Sequence, residues 1–282
     1  MQFSQPNAEC YIPDNTDEAA ALARCTHLAV GAHQDDLEIM AYHGILACFQ
    51  QPHKWYTGVV VTNGAGSART NVYENYSNEE MVTVRNEEQK KAAYVGEYAA
   101  QFLLNHPSGH VKSSEDHGVV ADYVAILKAT RPEVLYTHNL ADKHDTHVGV
   151  TLRLIEALRT LPADERPKKV YGCEVWRNLD WMIDDDKVAF NVSAHENLQM
   201  SLVSIFDSQV VGGKRYDLAT QGRQRANATY HQSHGVDECT GITFAMDLTP
   251  LIEDDTLDPL EFTRAHIQRL NDDIAQRFDR VK

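Results

Sequence analysis

Along the first 160 residues, short apolar runs alternate with longer stretches whose apolar positions recur at helical spacing. The runs THLAVGA (26–32), WYTGVVVT (55–62), YAAQFLL (98–104) and EVLYTH (133–138) predict buried strands. Between them, 36–50, 79–95, 117–130 and 147–160 carry helical periodicity, and Pro132 ends the third of these stretches. Strand and helix in alternation predict βαβ units and a mostly parallel sheet flanked by helices. The second half is less regular. VYGCEVW (170–176) and KVAFNV (187–192) read as strands, 194–206 and 258–278 as helices, and 207–217 as a loop. There is no internal repeat or low-complexity segment. The pattern predicts an α/β fold, with residues 1–282 as one domain: a core over about 24–210 and a C-terminal α/β elaboration over 211–282. A division into two domains near residue 165 is the less favoured alternative.

Charge narrows the class of function. A formal net charge of −15 leaves no basic footprint for nucleic acid or an anionic membrane, although a small basic pocket is compatible with it. The start of the chain has no basic segment followed by an apolar one, and no apolar run approaches ~18 residues. A cytoplasmic protein is expected. The five cysteines are scattered without a C-x-x-C pair, so reduced, mostly buried thiols are expected, not disulfides or a cysteine zinc site.

The candidate chemistry gathers where two predicted strands end, which is where open α/β sheets bind ligands. The first strand runs into His33-Gln34-Asp35-Asp36. The fourth runs into THNLADKHDTHVGV (137–150), with His138, Asp142, His144, Asp145 and His147. Imidazole and carboxylate suit zinc and its first-row neighbours, and a catalytic zinc takes about three protein ligands. His33, Asp36 and His147 would supply them. Asp35, pointing differently from Asp36, would serve as general base, and His144 as acid or oxyanion stabiliser. Taken singly, each cluster has a plainer reading: Asp35 or Asp36 as a helix cap, His144 and His147 as solvated side chains. A two-histidine, one-carboxylate iron site fits the donor types but accompanies all-β folds more than the one predicted.

These segments resemble the PIG-L/LmbE-like metal-dependent deacetylases. AHQDDLEIMAYHGILA is similar to that family's A-H-P-D-D-x-E-x-x-x-G-G pattern. GVVVTNGAGSAR (58–69), VRNEEQKKAAYVG (84–96), RPEVLYTHNLADKHDTHVGV (131–150) and FDSQ (206–209) follow in the family's order. The resemblance covers roughly residues 24–210. It implies a Rossmann-like sheet and hydrolysis of an N-acyl group, typically acetyl on a glucosamine unit, with zinc or a similar divalent ion. It implies His33, Asp36 and His147 as metal ligands, Asp35 as base, His144 as the second catalytic histidine, and Arg85 as a substrate-holding residue. For Arg85 a helix-surface salt bridge to Glu87 or Glu88 is the alternative. Three departures stand out. Gln34 replaces proline, His43-Gly44 replaces Gly-Gly, and Thr146 stands where the family carries an aspartate, so Asp145 or Asp142 would have to orient the neighbouring histidine.

The expected function is therefore removal of an N-acetyl or other N-acyl group from a small amino-sugar conjugate. Trp176, Arg177, Trp181 and Tyr216 are candidates to pack on a sugar ring, with ordinary core and rim packing as the alternative. Two rivals remain: a metal- or sugar-binding protein without turnover, and a nucleotide-binding protein using TNGAG (62–66) as a phosphate loop, for which G-x-G-x-x-G is missing. The sequence leaves a homo-oligomer open.

Overall fold

Three of the apolar runs form strands buried at every position, in the middle of an eight-stranded sheet in the computed structural model, which describes residues 1–282. The strands are β1 (Glu9–Tyr11), β2 (His27–Gly31), β3 (Tyr56–Thr62), β4 (Ala100–His106), β5 (Val134–His138), β6 (Lys169–Cys173), β7 (Lys187–Asn191) and β8 (Ile242–Asp247). Across the sheet they lie in the order β1-β4-β3-β2-β5-β6-β8-β7. The five from β4 to β6 are mutually parallel, while β1, β8 and β7 pair antiparallel with their neighbours. Helices cover both faces, which is why the central strands read as continuous apolar runs and do not alternate. Along β2, Leu28 and Val30 enter one apolar layer and Ala29 the other. The α/β, mostly parallel architecture is the one the pattern predicts.

The chain steps from β2 outward to β3 and β4, then returns to place β5 on the other side of β2. That reversal opens a crevice at the carboxyl ends of β2 and β5, the place where such sheets bind ligands.

Several element boundaries differ from expectation. The stretch 36–50 is two helices, Asp36–Met40 and Tyr42–Cys48, broken at Ala41. The break lets Gly44 approach the Tyr136 ring so closely that a Cβ there would lie 2.6 Å from it. The helix expected at 147–160 begins at Asp145, because His144 caps it. β4 starts two residues later than its apolar run and extends through Asn105 and His106. Their polar atoms have partners; His106 Nε2, for example, sits 2.8 Å from Asp122 Oδ2. The segment 207–217 is not a loop throughout: Asp207–Val210 is a helical turn, and Tyr216 opens a helix running to Tyr230. That helix and β8 were not predicted. The C-terminal helix, Pro259–Val281, is capped by Asp258. All five cysteines are free, and no helix is long and apolar enough to cross a membrane.

Candidate metal centre and its cavity

β2 ends at Gly31, and the chain turns at once into the helix beginning at Asp36. The turn is made at Asp35, whose φ of 98° is rare for a residue with a side chain, a strain of about 1–3 kcal/mol where it occurs. Its N–H donates to Gln89 Oε1 at 3.3 Å, and its carboxyl caps nothing. Asp36 Oδ2 instead accepts the His33 N–H at 2.7 Å. The two adjacent carboxylates are thereby parted, one into the His cluster and one toward Arg85.

Across the crevice, the helix Asp145–Thr160 presents His147 in its first turn. His33 Nδ1 lies 3.3 Å from Asp36 Oδ2 and 3.3 Å from His147 Nε2, and His147 Nε2 lies 3.6 Å from Asp36 Oδ2. A tetrahedral ion with bonds of about 2.0–2.1 Å spaces its ligand atoms roughly 3.3–3.4 Å apart. The donor set and its spacing therefore fit a divalent ion. Two overlapping groups, His33–His144–His147 and Asp36–His138–His147, also bring donor atoms within 4.8 Å of one another, and such a cluster could hold a metal.

His138, at the end of β5, is completely buried, and its ring lies 3.8 Å from that of His147. Burial first, then His147, push its pKa down to about 4, so the ring is neutral. Its Nε2 already accepts the Ala32 N–H at 2.9 Å, which occupies the lone pair an ion would need. It forms a wall of the cluster. Burial alone would favour a neutral Asp36, but His147 and His138 hold its carboxyl well below the usual range. Burial would likewise lower the His147 pKa, and Asp36 and Asp142 more than offset it. The Asp36 carboxylate at the end of β2 faces the imidazoles of His33, His138 and His147 at 3.3, 3.4 and 3.6 Å.

Of the two aspartates that could stand in for the family's missing one, Asp142 is the one in contact. It is buried, its Oδ2 faces His147 Nδ1 at 3.4 Å, and its Oδ1 accepts the His144 N–H at 2.9 Å. Asp145 is exposed. His144 Nδ1 accepts the Thr146 N–H at 3.3 Å, and its ring stands 5.1 Å from that of His33. Burial, with His147 and His33 nearby, lowers the His144 pKa.

Arg85 is not on the helix surface. It is fully buried, with its guanidinium donating to the Gln34 carbonyl and lying 3.7 Å from Asp35 Oδ2; its Nη1 is buried without a partner. Gln34, where the family has proline, holds this arrangement: its Oε1 accepts from Arg85 Nε at 3.4 Å, and its Nε2 donates to Asn86 Oδ1 at 3.1 Å. Gly64, at φ 68°, passes so close that a Cβ would lie 2.5 Å from Gln34 Oε1. Burial raises the Asp35 carboxyl well above the usual carboxylate range, with Arg85 opposing. His43, the other departure, lies outside the crevice, stacked on Phe190 and 2.9 Å from the Tyr136 hydroxyl.

His33, Asp35, Asp36, Arg85, His144 and His147 line one cavity of about 520 Å³, a size suited to a small organic ligand. Its rim includes residues 62–68. No phosphate loop is formed there: the next full helix begins only at Asn78, with its N-terminus closed by the Ser77–Glu80 capping box. Trp176 and Tyr216 line the cavity, with Lys143 and Lys214 Nζ 5.5 and 5.4 Å from the Trp176 ring. Arg177 and Trp181 do not, and Trp181 packs against the apolar core. Glu174 and Gln224 were not singled out from sequence, and His138 was placed in the cluster without a role of its own.

The fold and the cluster define an α/β protein with a metal-type centre at the switch point of its sheet. Residues 28–158, which contain His33, Asp35, Asp36, Arg85, His144 and His147, match the family model PIG-L, GlcNAc-PI de-N-acetylase. Over that segment, somewhat under half of its length, the chain is similar to this family of N-deacetylases. No curated protein matches it by sequence. Among solved structures it is similar to GalB, the 4-carboxy-2-hydroxymuconate hydratase of Pseudomonas putida KT2440, at 13% identity and TM-score 0.64, covering 79% of this chain and 96% of that one. It is similar to N,N'-diacetylchitobiose deacetylase of Pyrococcus horikoshii at 16% identity and TM-score 0.59, covering 78% and 83%. The zinc-inhibited form of a teicoplanin deacetylase aligns at 13% identity and TM-score 0.51, covering 79% and 98%. At such identities the likeness is one of fold, and the fold serves a hydratase as well as deacetylases.

Proposed function

We propose that the protein hydrolyses an N-acetyl, or other N-acyl, group on a glucosamine-type small molecule. His33, Asp36 and His147 hold a divalent ion, zinc or another first-row metal. The observation that carries this reading is the trio of donor atoms 3.3–3.6 Å apart with a second, separately held carboxylate beside them. When bound, the ion supplies a water of lowered pKa and polarises the amide carbonyl.

The remaining chemistry belongs to the chain. Asp35, its carboxyl raised by burial, takes a proton from the attacking water and passes it to the departing amine as the C–N bond breaks, giving a carboxylic acid and a free amine. The Arg85 guanidinium keeps Asp35 oriented, and its unpartnered Nη1 is available to substrate. Because His144 Nδ1 accepts from Thr146, the neutral ring carries its proton on Nε2. That makes it an N–H donor to the oxyanion, and not an acid. Asp142, its Oδ2 3.4 Å from His147 Nδ1, backs the His147 ring with a carboxylate.

The test is elemental analysis of wild type and Asp36→Ala, followed by acetate release from N-acetylglucosamine conjugates. Near-stoichiometric metal in wild type alone, with acetate release, is expected. No metal after reconstitution would sink the hydrolase reading. Metal without release from any N-acetyl sugar would make this a binding protein.

A further inference from the structure

Part of the cavity lining comes from outside the segment that matches the family. Glu174 follows directly on β6, Gln224 lies in the helix Tyr216–Tyr230, and Thr243 lies on β8. All three line the cavity and are buried, at 3%, 4% and 3% exposure. Glu174 Oε2, Gln224 Nε2 and Thr243 Oγ1 have no hydrogen-bond partner. Buried polar atoms nearly always have partners, so three orphans on one cavity wall call for a ligand.

The wall is tied together, not an accident of three separate elements. Asn227, one turn on from Gln224, donates both to Glu174 Oε1 at 3.2 Å and to the carbonyl of Ile242, next to Thr243, at 3.2 Å. Arg223 reaches back to the Val175 carbonyl. An acceptor, a donor and a hydroxyl that can do either are thus held facing one space. A carboxylate or phosphate finds no fixed cation among these three groups, and an ammonium group would leave the Gln224 N–H unused. A ring hydroxyl both donates and accepts.

We propose that Glu174, Gln224 and Thr243 form a hydroxyl-recognition subsite, which binds the sugar ring of the substrate in the cavity that the metal centre also lines. The inference rests on the sugar-deacetylase reading and assigns specificity within it.

The test uses zinc-loaded protein carrying Asp35→Asn to suppress turnover, titrated calorimetrically with N-acetylglucosamine and N,N'-diacetylchitobiose. Gln224→Leu and Thr243→Val should each weaken binding about 3- to 10-fold, with metal content and thermal midpoint unchanged. Glu174→Gln, nearly isosteric, controls for folding and should weaken binding in the same direction. Affinities within about twofold of the parent in all three variants would overturn the subsite, as would failure of the parent to bind either sugar. Gln224-dependent binding in a protein that releases no acetate would keep the subsite and remove the deacetylase reading. Acetate release with KM unmoved by the three substitutions would do the reverse.

Discussion

One N–H bears on what His144 can contribute: donated by Thr146 to Nδ1, it leaves the proton of a neutral ring on Nε2, which suits the proposed oxyanion donor over the acid. Asp35 and Asp36 show the same dependence on local partners. They are chemically identical neighbours, yet one faces three imidazoles and the other a guanidinium. Asp35→Asn should retain bound metal and lose on the order of 10²-fold or more in turnover, measured by acetate release beside elemental analysis. Near-full turnover would remove the base assignment. Glu174 offers a test by pH. Burial, opposed by Arg223, raises its carboxyl to about 7 from an ordinary 4.5. The folded state therefore favours its protonated form. That stability is fully present below about pH 4.5 and is lost as pH rises through about 7, by roughly 3 kcal/mol at most. Denaturant melts of Glu174→Gln should show a flatter stability profile than wild type between pH 5 and 8. The cluster of His33, Asp36 and His147 was legible because i, i+3 spacing at a strand end brings side chains to one place. Which of Asp142 and Asp145 faces His147 was not, since that is settled by how the loop folds back before the helix.

Elements were legible in proportion to their apolar burial. β2, β3 and β4 are enclosed by helices on both sides, so their sequences betray them. The helix Tyr216–Tyr230 buries Thr220, Gln224 and Asn227, and a polar buried face leaves no periodic signal. The helix Asn78–Val95 joins distant parts of the site. Arg85 reaches Gln34 and Asp35, Gln89 takes the Asp35 N–H, and Glu88 accepts from the Ser208 N–H and hydroxyl at 2.7 and 2.6 Å. The C-terminal helix is the opposite case. Phe262 and Thr263 anchor its first turns, while Ile267, Ile274, Phe278 and Val281 are exposed. Deleting residues 271–282 should move the thermal midpoint by less than about 2 °C, whereas deleting 259–282 should lower it by more. Scanning fluorimetry separates the two.

On the scale of the whole molecule, the sheet order puts the Asp36 carboxylate beside the imidazoles of His33, His138 and His147. β8 is threaded between β6 and β7, so the last seventy residues share hydrogen bonds with the rest of the sheet. Heat should unfold residues 1–282 in one cooperative transition. The reversal of direction between β2 and β5 has a further consequence. His33 and His147 are 114 positions apart in the chain, yet their nitrogens lie 3.3 Å from one another. An ion gripping both would act as a reversible cross-link between distant parts of the chain, stabilising the folded form because only that form brings the two nitrogens together. At free metal about 100 times Kd, binding to the folded form alone adds about 2.7 kcal/mol, so chelation should lower the thermal midpoint by roughly 5 °C or more. In Asp36→Ala the same chelator should shift nothing. The crevice that positions the chemistry is then also a clasp, holding the first strand of the parallel sheet to the helix that follows β5.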